Sequence, residues 1–196
     1  MSTSGRPPES VRKPADRRVS RTRRSIDEAF IALLERRGYE AVGVSDIVRE
    51  ADVGRATFYE HYTSKDDLLR TQLQRVSSLL RAHPGRPQWL DATPLFAHVR
   101  DVPLLYRLVA GRSAAARSLR ILQQVLQARV ADVLDEHLAA GASLRAPLTS
   151  PIAARVIVAE LAALLAWWTE MGMAATADEM QQLFLACAGP LLARDD

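Results

Sequence analysis

The chain of 196 residues holds a single cysteine, Cys187, which rules out an internal disulfide framework and fits a reducing, cytoplasmic location. It also lacks the common marks of catalysis. There is no glycine-rich phosphate loop, no second cysteine near Cys187, and no pair of histidines at metal-ligand spacing, since His61, His83, His98 and His137 are scattered. An enzyme is therefore not expected, nor a resident cofactor or metal. The first 25 residues are polar and arginine-rich with no apolar core, so no secretory leader is expected. The most apolar run, Ile152 to Trp168, carries Arg155 and Glu160 within 17 residues, which a membrane span rarely tolerates. It reads instead as a buried helix at a subunit interface. Cys187 falls on an apolar stripe and fits packing, with a redox-sensing thiol as the other reading. No segment alternates in the manner of a strand.

What is present is an ordinary globular balance, 48% apolar and 25% charged, with the charge unevenly placed. Residues 1 to 75 hold 15 basic and 12 acidic groups, a net of +3, whereas residues 76 to 196 hold 11 of each. Arg6, Arg12, Lys13, Arg17, Arg18, Arg21, Arg23 and Arg24 crowd the first 25 residues against Glu9 and Asp16. Such a tail binds a polyanion by releasing its counterions, although a solvated tail that touches nothing has the same composition. Pro7, Pro8 and Pro14 among these charges point to disorder over residues 1–17.

Helical periodicity follows. Ile26, Ala29, Phe30, Leu33 and Leu34 stripe a helix from about Ser20 to Arg37, closed by Gly38; Ser25 with Glu28 also matches a capping box and would move its start later. Val44, Ile47, Val48 and Ala51 recur at i, i+3, i+4 and i+7 on a second helix from Val44 to Ala51, with Gly43 as a weak cap. Asp52 occupies the following turn, which calls for positive φ. A third helix covers Arg55 to Tyr62, and a fourth opens at Ser64, with Asp67 three positions on, and continues to Ala82. The break from His83 to Pro87 separates these from helices expected over Pro94–Val102, Pro103–Ala110, Ser113–Ala140, Pro151–Met171 (capped by Ser150) and Thr176–Leu192.

The stretch Val53 to Leu69, VGRATFYEHYTSKDDLL, concentrates the information. Phe58 and Tyr62, with Val53, face inward and leave Arg55, Ala56, Thr57, Tyr59, Glu60 and His61 outward. A helix of this kind fits the major groove, where a guanidinium such as that of Arg55 pairs with both acceptors of guanine. From about Arg18 to Leu73 the chain resembles the helix-turn-helix domain of the TetR/AcrR family of one-component transcriptional repressors. The resemblance implies that Thr57 and Tyr59 contact phosphates and base edges and that His61 meets the backbone. Lys65 heads the fourth helix, where free backbone amides already favour a phosphate. Each of these side chains also fits a plain surface or packing role, and Glu60 has no assigned part.

The chain departs from the family pattern at three points. Val42 and Gly43 stand where the family has threonine, leaving Ser45 as the candidate phosphate contact; Asp52 replaces the turn glycine; and Gly54 with Ala56 replaces a Ser-x-Gly pattern ahead of Thr57.

The expected architecture is all-α. A disordered basic tail (1–17) precedes a three-helix helix-turn-helix DNA-binding domain (18–73) and a helical ligand-binding and dimerisation domain (74–196), about nine helices in total. Because one recognition helix reads few base pairs, a homodimer on a palindromic operator is expected. Its interface is expected on the last two helices, through Leu161, Leu164, Leu165 and Trp168 and through Leu183, Phe184, Cys187 and Leu191; an intramolecular core is the alternative. The resemblance further implies a small apolar or aromatic effector in the second domain, with Trp89, Phe96, Tyr106, Trp167 and Trp168 as candidate lining and His98 or Arg120 as a polar anchor. An adaptor without operator-specific binding, and an activator, are the competing functions.

Overall fold

The computed structural model describes residues 14–83, 89–104, 106, 116–145 and 147–191. Residues 1–13 of the basic tail lie outside that set. Helix α1, Pro14–Arg37, begins six residues ahead of the expected Ser20, so residues 14–17, expected to be disordered, are helical. Proline suits a first helical turn, which is why it does not block the start. Ser25 is no cap: it lies mid-helix and its hydroxyl donates to the Ala51 carbonyl at 2.9 Å. Gly38, at φ 72°, ends α1 where a side chain would be strained.

Helices α2, Val44–Glu50, and α3, Arg55–His61, are seven residues each, too short to persist alone, so packing must hold them. Ile26, Phe30 and Leu34 of α1, Ile47 of α2, Phe58 of α3 with Tyr62 at its carboxy-terminal cap, and Leu68 of α4 close one core, each contributing roughly 1.5–3 kcal/mol by burial. Helix α4, Lys65–Ser77, starts as expected: Ser64 caps it, accepting from the Asp67 amide at 3.1 Å. It stops five residues before Ala82. The chain then forms strand β1, Arg81–Ala82, paired antiparallel with β2, Leu90–Asp91, the one strand pair among the described residues. No strand was expected, because two residues are too few to show alternation.

The body comprises α5, Thr93–Asp101; α6, Ala116–Ala139; α7, Ser150–Glu170; and α8, Ala177–Ala188, followed by a 3-10 turn, Gly189–Leu191. That makes eight α-helices among the described residues against about nine expected. The helix expected over Pro103–Ala110 falls largely outside them, as does the 111–115 approach to α6. Thr149, not Ser150, occupies the α7 cap position, and the Ser150 hydroxyl donates to Asp135 of α6 at 2.8 Å. Thr176 and Glu179 form a reciprocal capping box on α8. Helix α6 packs on both α7 and α4, and α5 on α8. Gln181 of α8 satisfies both ends of its buried amide on the β2–α5 junction, accepting from the Ala92 amide at 2.9 Å and donating to the Leu90 carbonyl at 2.8 Å.

Four residues of the expected dimer stripe belong to this intramolecular core instead: Leu161, Leu165, Trp168 and Phe184 are buried within the chain. Leu164 and Leu191 are half-buried against the same core. Periodicity identifies an apolar face, but an α7 apolar nearly all round has two. The second face, Ile152, Val156 and Trp167 on α7, Met171 at its carboxy-terminal cap and Leu183 on α8, is exposed.

Candidate nucleic-acid interface

The α2–turn–α3 unit is built by local rules. The Asp46 carboxylate accepts from the Gly43 amide at 3.0 Å, closing the α2 amino terminus without a side-chain cap. That backbone bond, then Arg37, holds the Asp46 carboxyl below its usual range. Asp52 takes φ 52°, the positive value expected for the turn, and the Val53 amide returns to the Val48 carbonyl at 3.0 Å. Gly54 lies at φ −69°, a value open to any residue, and offers α3 no capping side chain.

Helix α3 is oriented by a polar brace that periodicity does not disclose. Tyr62, at the α3 terminus, donates its hydroxyl to Asp27 of α1 at 2.5 Å and accepts from Arg23 at 3.1 Å. Arg75 of α4 donates to the other Asp27 oxygen at 2.6 Å. Burial first, and the Asp27 bond second, push the Tyr62 hydroxyl above its ordinary pKa, while Asp27 raises that of Arg75. Three helices thus meet on one buried carboxylate. The available hint was an aspartate wedged against the apolar stripe, next to Ile26 and three residues before Phe30.

Phe58 and Tyr62 are buried, and Val53 is half-buried against the core, as expected. Arg55, Ala56, Tyr59 and Glu60 are exposed; Thr57 and His61 are half-buried. Arg55 lies against Tyr59, its guanidinium 5.7 Å from the ring centre and 3.3 Å from the hydroxyl. Tyr59 in turn meets Phe58 edge-to-face at 5.4 Å, so the exposed pair has a fixed base. Ser45 is exposed on the first turn of α2.

Lys65 is less free than an exposed clamp. Its ammonium donates to the Tyr39 carbonyl at 2.8 Å and sits 4.2 Å over the Tyr39 ring, and burial lowers its pKa. An ammonium has three donors, so hydrogens remain for an anion. Beside it, Asp66 binds the Tyr39 hydroxyl and Arg117 of α6 at 2.5 Å, joining the amino-terminal helices α1–α4, the reader, to the body. Arg70 to Gln124 at 3.1 Å, and Arg129 to the Leu80 carbonyl at 2.8 Å, extend that seam along α4.

The five aromatics expected in an effector pocket are not gathered in one place. Trp167 is 49% exposed; Phe96 and Trp168 pack edge-to-face at 5.8 Å in the body core; and Trp89 stacks on His137 at 5.9 Å. Tyr106 alone of the five lines a cavity between α1, α4 and α5, and His98 is beside it there. Arg120 is exposed.

Two short helices about a tight turn, the second buried inside and open outside, define a helix-turn-helix domain, carried here on an all-helical body. Residues 26–71 match the family model of bacterial regulatory proteins, tetR family. An uncharacterized HTH-type transcriptional regulator of Bacillus subtilis, YxbF, is 47% identical over 72 residues, covering 36% of this chain and 19% of that protein. The chain therefore spans about a fifth of the length of this curated relative. The fold resembles that of a TetR transcriptional regulator from Streptococcus agalactiae, with a TM-score of 0.59 at 23% identity over 89% of this chain and 97% of that one. Full-length TylP, a tetR regulator from Streptomyces fradiae, matches at 0.64 and 23% identity over 90% and 89%. Residues 26–71 thus match the DNA-reading domain of the tetR family, and the chain as a whole has the same fold as these regulators.

Proposed function

We propose that the chain is a cytoplasmic transcriptional repressor that binds a palindromic operator as a homodimer and releases it when a small effector binds. The observation that carries this reading is the division of α3: Phe58 and Tyr62 are fixed inside, while Arg55 and Tyr59 stand together on the open face. Arg55 reads a guanine, Thr57 and Tyr59 engage phosphate and base edges, and Ser45, His61 and Lys65 grip the backbone. The arginines of the first 25 residues add non-specific attraction.

Dimerisation uses the exposed apolar stripe of Ile152, Val156, Trp167 and Leu183 on α7 and α8, since soluble chains rarely leave such faces uncovered. Selection from random duplexes with the purified protein tests the reading. Enrichment of an inverted repeat, bound with an affinity that falls steeply with salt, is the expected result; weak binding that is uniform across sequences defeats it. Sedimentation of a Trp167→Glu variant tests the dimer face, with a shift from dimer to monomer expected.

A further inference from the structure

At the seam between reader and body lies a cavity of about 380 Å³. Phe30 and Leu34 of α1 and Val76 of α4 give it apolar walls, and His98 of α5 and Tyr106 close it from the body side. Its size falls within the range of small-molecule sites. Two of the residues that line it hold a buried polar atom with no partner among the described residues. The Tyr106 hydroxyl belongs to a residue only 5% exposed, and Gln72 Nε2 is likewise buried and unpaired. Buried polar groups are nearly always satisfied, so two orphans beside one cavity mark a place where something else bonds.

We propose that this cavity binds a small, uncharged, largely apolar molecule whose single acceptor oxygen takes hydrogen bonds from Tyr106 Oη and Gln72 Nε2. The two groups agree in polarity. Burial raises the Tyr106 pKa, which keeps its hydroxyl a donor, and Gln72 Oε1 already accepts from Arg75 at 3.3 Å, which leaves the amide nitrogen as its free end. Both therefore seek an acceptor. Net charge on the ligand is disfavoured: an anion would compete with Asp27 for Arg75, and a cation would face the Arg75 guanidinium that also lines the cavity. His98, edge-to-face on Tyr106 at 5.9 Å, fixes that ring from the body side.

The inference deepens the regulatory reading above and gives the effector a chemistry and a location. Phe30, Leu34, Gln72 and Val76 ride on reader helices, whereas His98 and Tyr106 belong to the body. A molecule bridging the two sets prefers one reader–body spacing over another, which is the differential affinity that any ligand-driven shift requires. Arg75, at the rim, is also the residue that holds Asp27 and through it Tyr62 of the recognition helix.

The test uses the full chain and two probes of like shape, 4-phenyl-2-butanone and butylbenzene, titrated calorimetrically without DNA. Saturable binding of the ketone, about tenfold tighter than the hydrocarbon, is expected, because the hydrocarbon leaves both donors unpaired. In Tyr106→Phe and Gln72→Leu, which keep the cavity apolar and near its volume, that preference should shrink about three- to tenfold. No saturable ketone binding by protein that melts cooperatively overturns the site, as does equal affinity for both probes or an effect blind to both substitutions. A selected duplex is then titrated with and without the ketone. Reduced DNA affinity supports the effector role, and unchanged affinity overturns that role. Failure of the free protein to bind any duplex sinks the repressor reading alone, since calorimetry decides the cavity independently.

Discussion

Two carboxylates with a buried oxygen or a buried side chain, one in each half of the molecule, are treated in opposite ways. Asp27 in the reader receives Tyr62 on one oxygen and Arg75 on the other. Glu160 in the body is half-buried, with the Cys187 thiol as its one partner among the described residues; its Oε1 is buried without one, and burial pushes its pKa up to about 7. The reader is assembled from helices too short to bury much apolar surface, so a charged hub fixes the angles between them. The body is built from long apolar helices that pack without such a device, and there a carboxylate is a burden that protonation relieves. Cys187, expected to pack on the apolar stripe, is instead exposed on α8, and desolvation, then Glu160, raise its thiol pKa.

The contrast can be broken most forcefully at Phe58. Truncation to alanine should cost about 3–5 kcal/mol in urea unfolding, because so small a core cannot collapse around the gap. A loss under about 1 kcal/mol would mean that the polar brace alone suffices. Asp27→Ala comes next, at about 2–3 kcal/mol: hydrogen bonds to a charged group are worth roughly 1.5–3, and half-exposed Arg75 regains water when its partner leaves. Stability equal to the parent would show the hub to be ornamental. Arg55→Ala should leave the fold intact yet relax base preference at one position per half-site by roughly 1–3 kcal/mol, read by competition against single-base operator variants. Unaltered preference would move base readout to another residue.

The smallest effect belongs to Glu160. The native state retains its proton to higher pH than the unfolded chain does, so its contribution to stability is fully present below about pH 4.5 and is lost as pH rises towards about 7. Glu160→Gln should flatten that decline in thermal melts between these values. A variant with the parental slope would assign the titration to another group.

Much of the reader could be read from sequence because its signals are local. The Ser64 cap, the positive φ at Asp52 and the inward pair Phe58 and Tyr62 each follow from a few adjacent residues, and each is found. Ser25 failed as a cap because its hydroxyl meets Ala51, a partner 26 residues away that no local rule can see. The dimer stripe failed for a related reason: on a helix as apolar as α7, spacing groups Leu161, Leu165 and Trp168 correctly but does not say whether this chain or another covers them. The Asp27 hub and the seam cavity escaped because both are assembled from three helices whose crossing angles no periodicity encodes. Tyr106 was singled out merely for being aromatic; what distinguishes it in the fold is an idle hydroxyl.

Helix α4 is a rod of 13 residues, about 20 Å long. Lys65 heads it, and Gln72 and Val76 sit roughly 10–17 Å further along the same axis, within the wall of the seam cavity. With no hinge residue between them, tilting the far end by some degrees swings Lys65 by an ångström or more. Under the proposed function, grip and trigger are two points on a single lever, and a substitution that introduces a kink between positions 65 and 76 should uncouple them while leaving each intact.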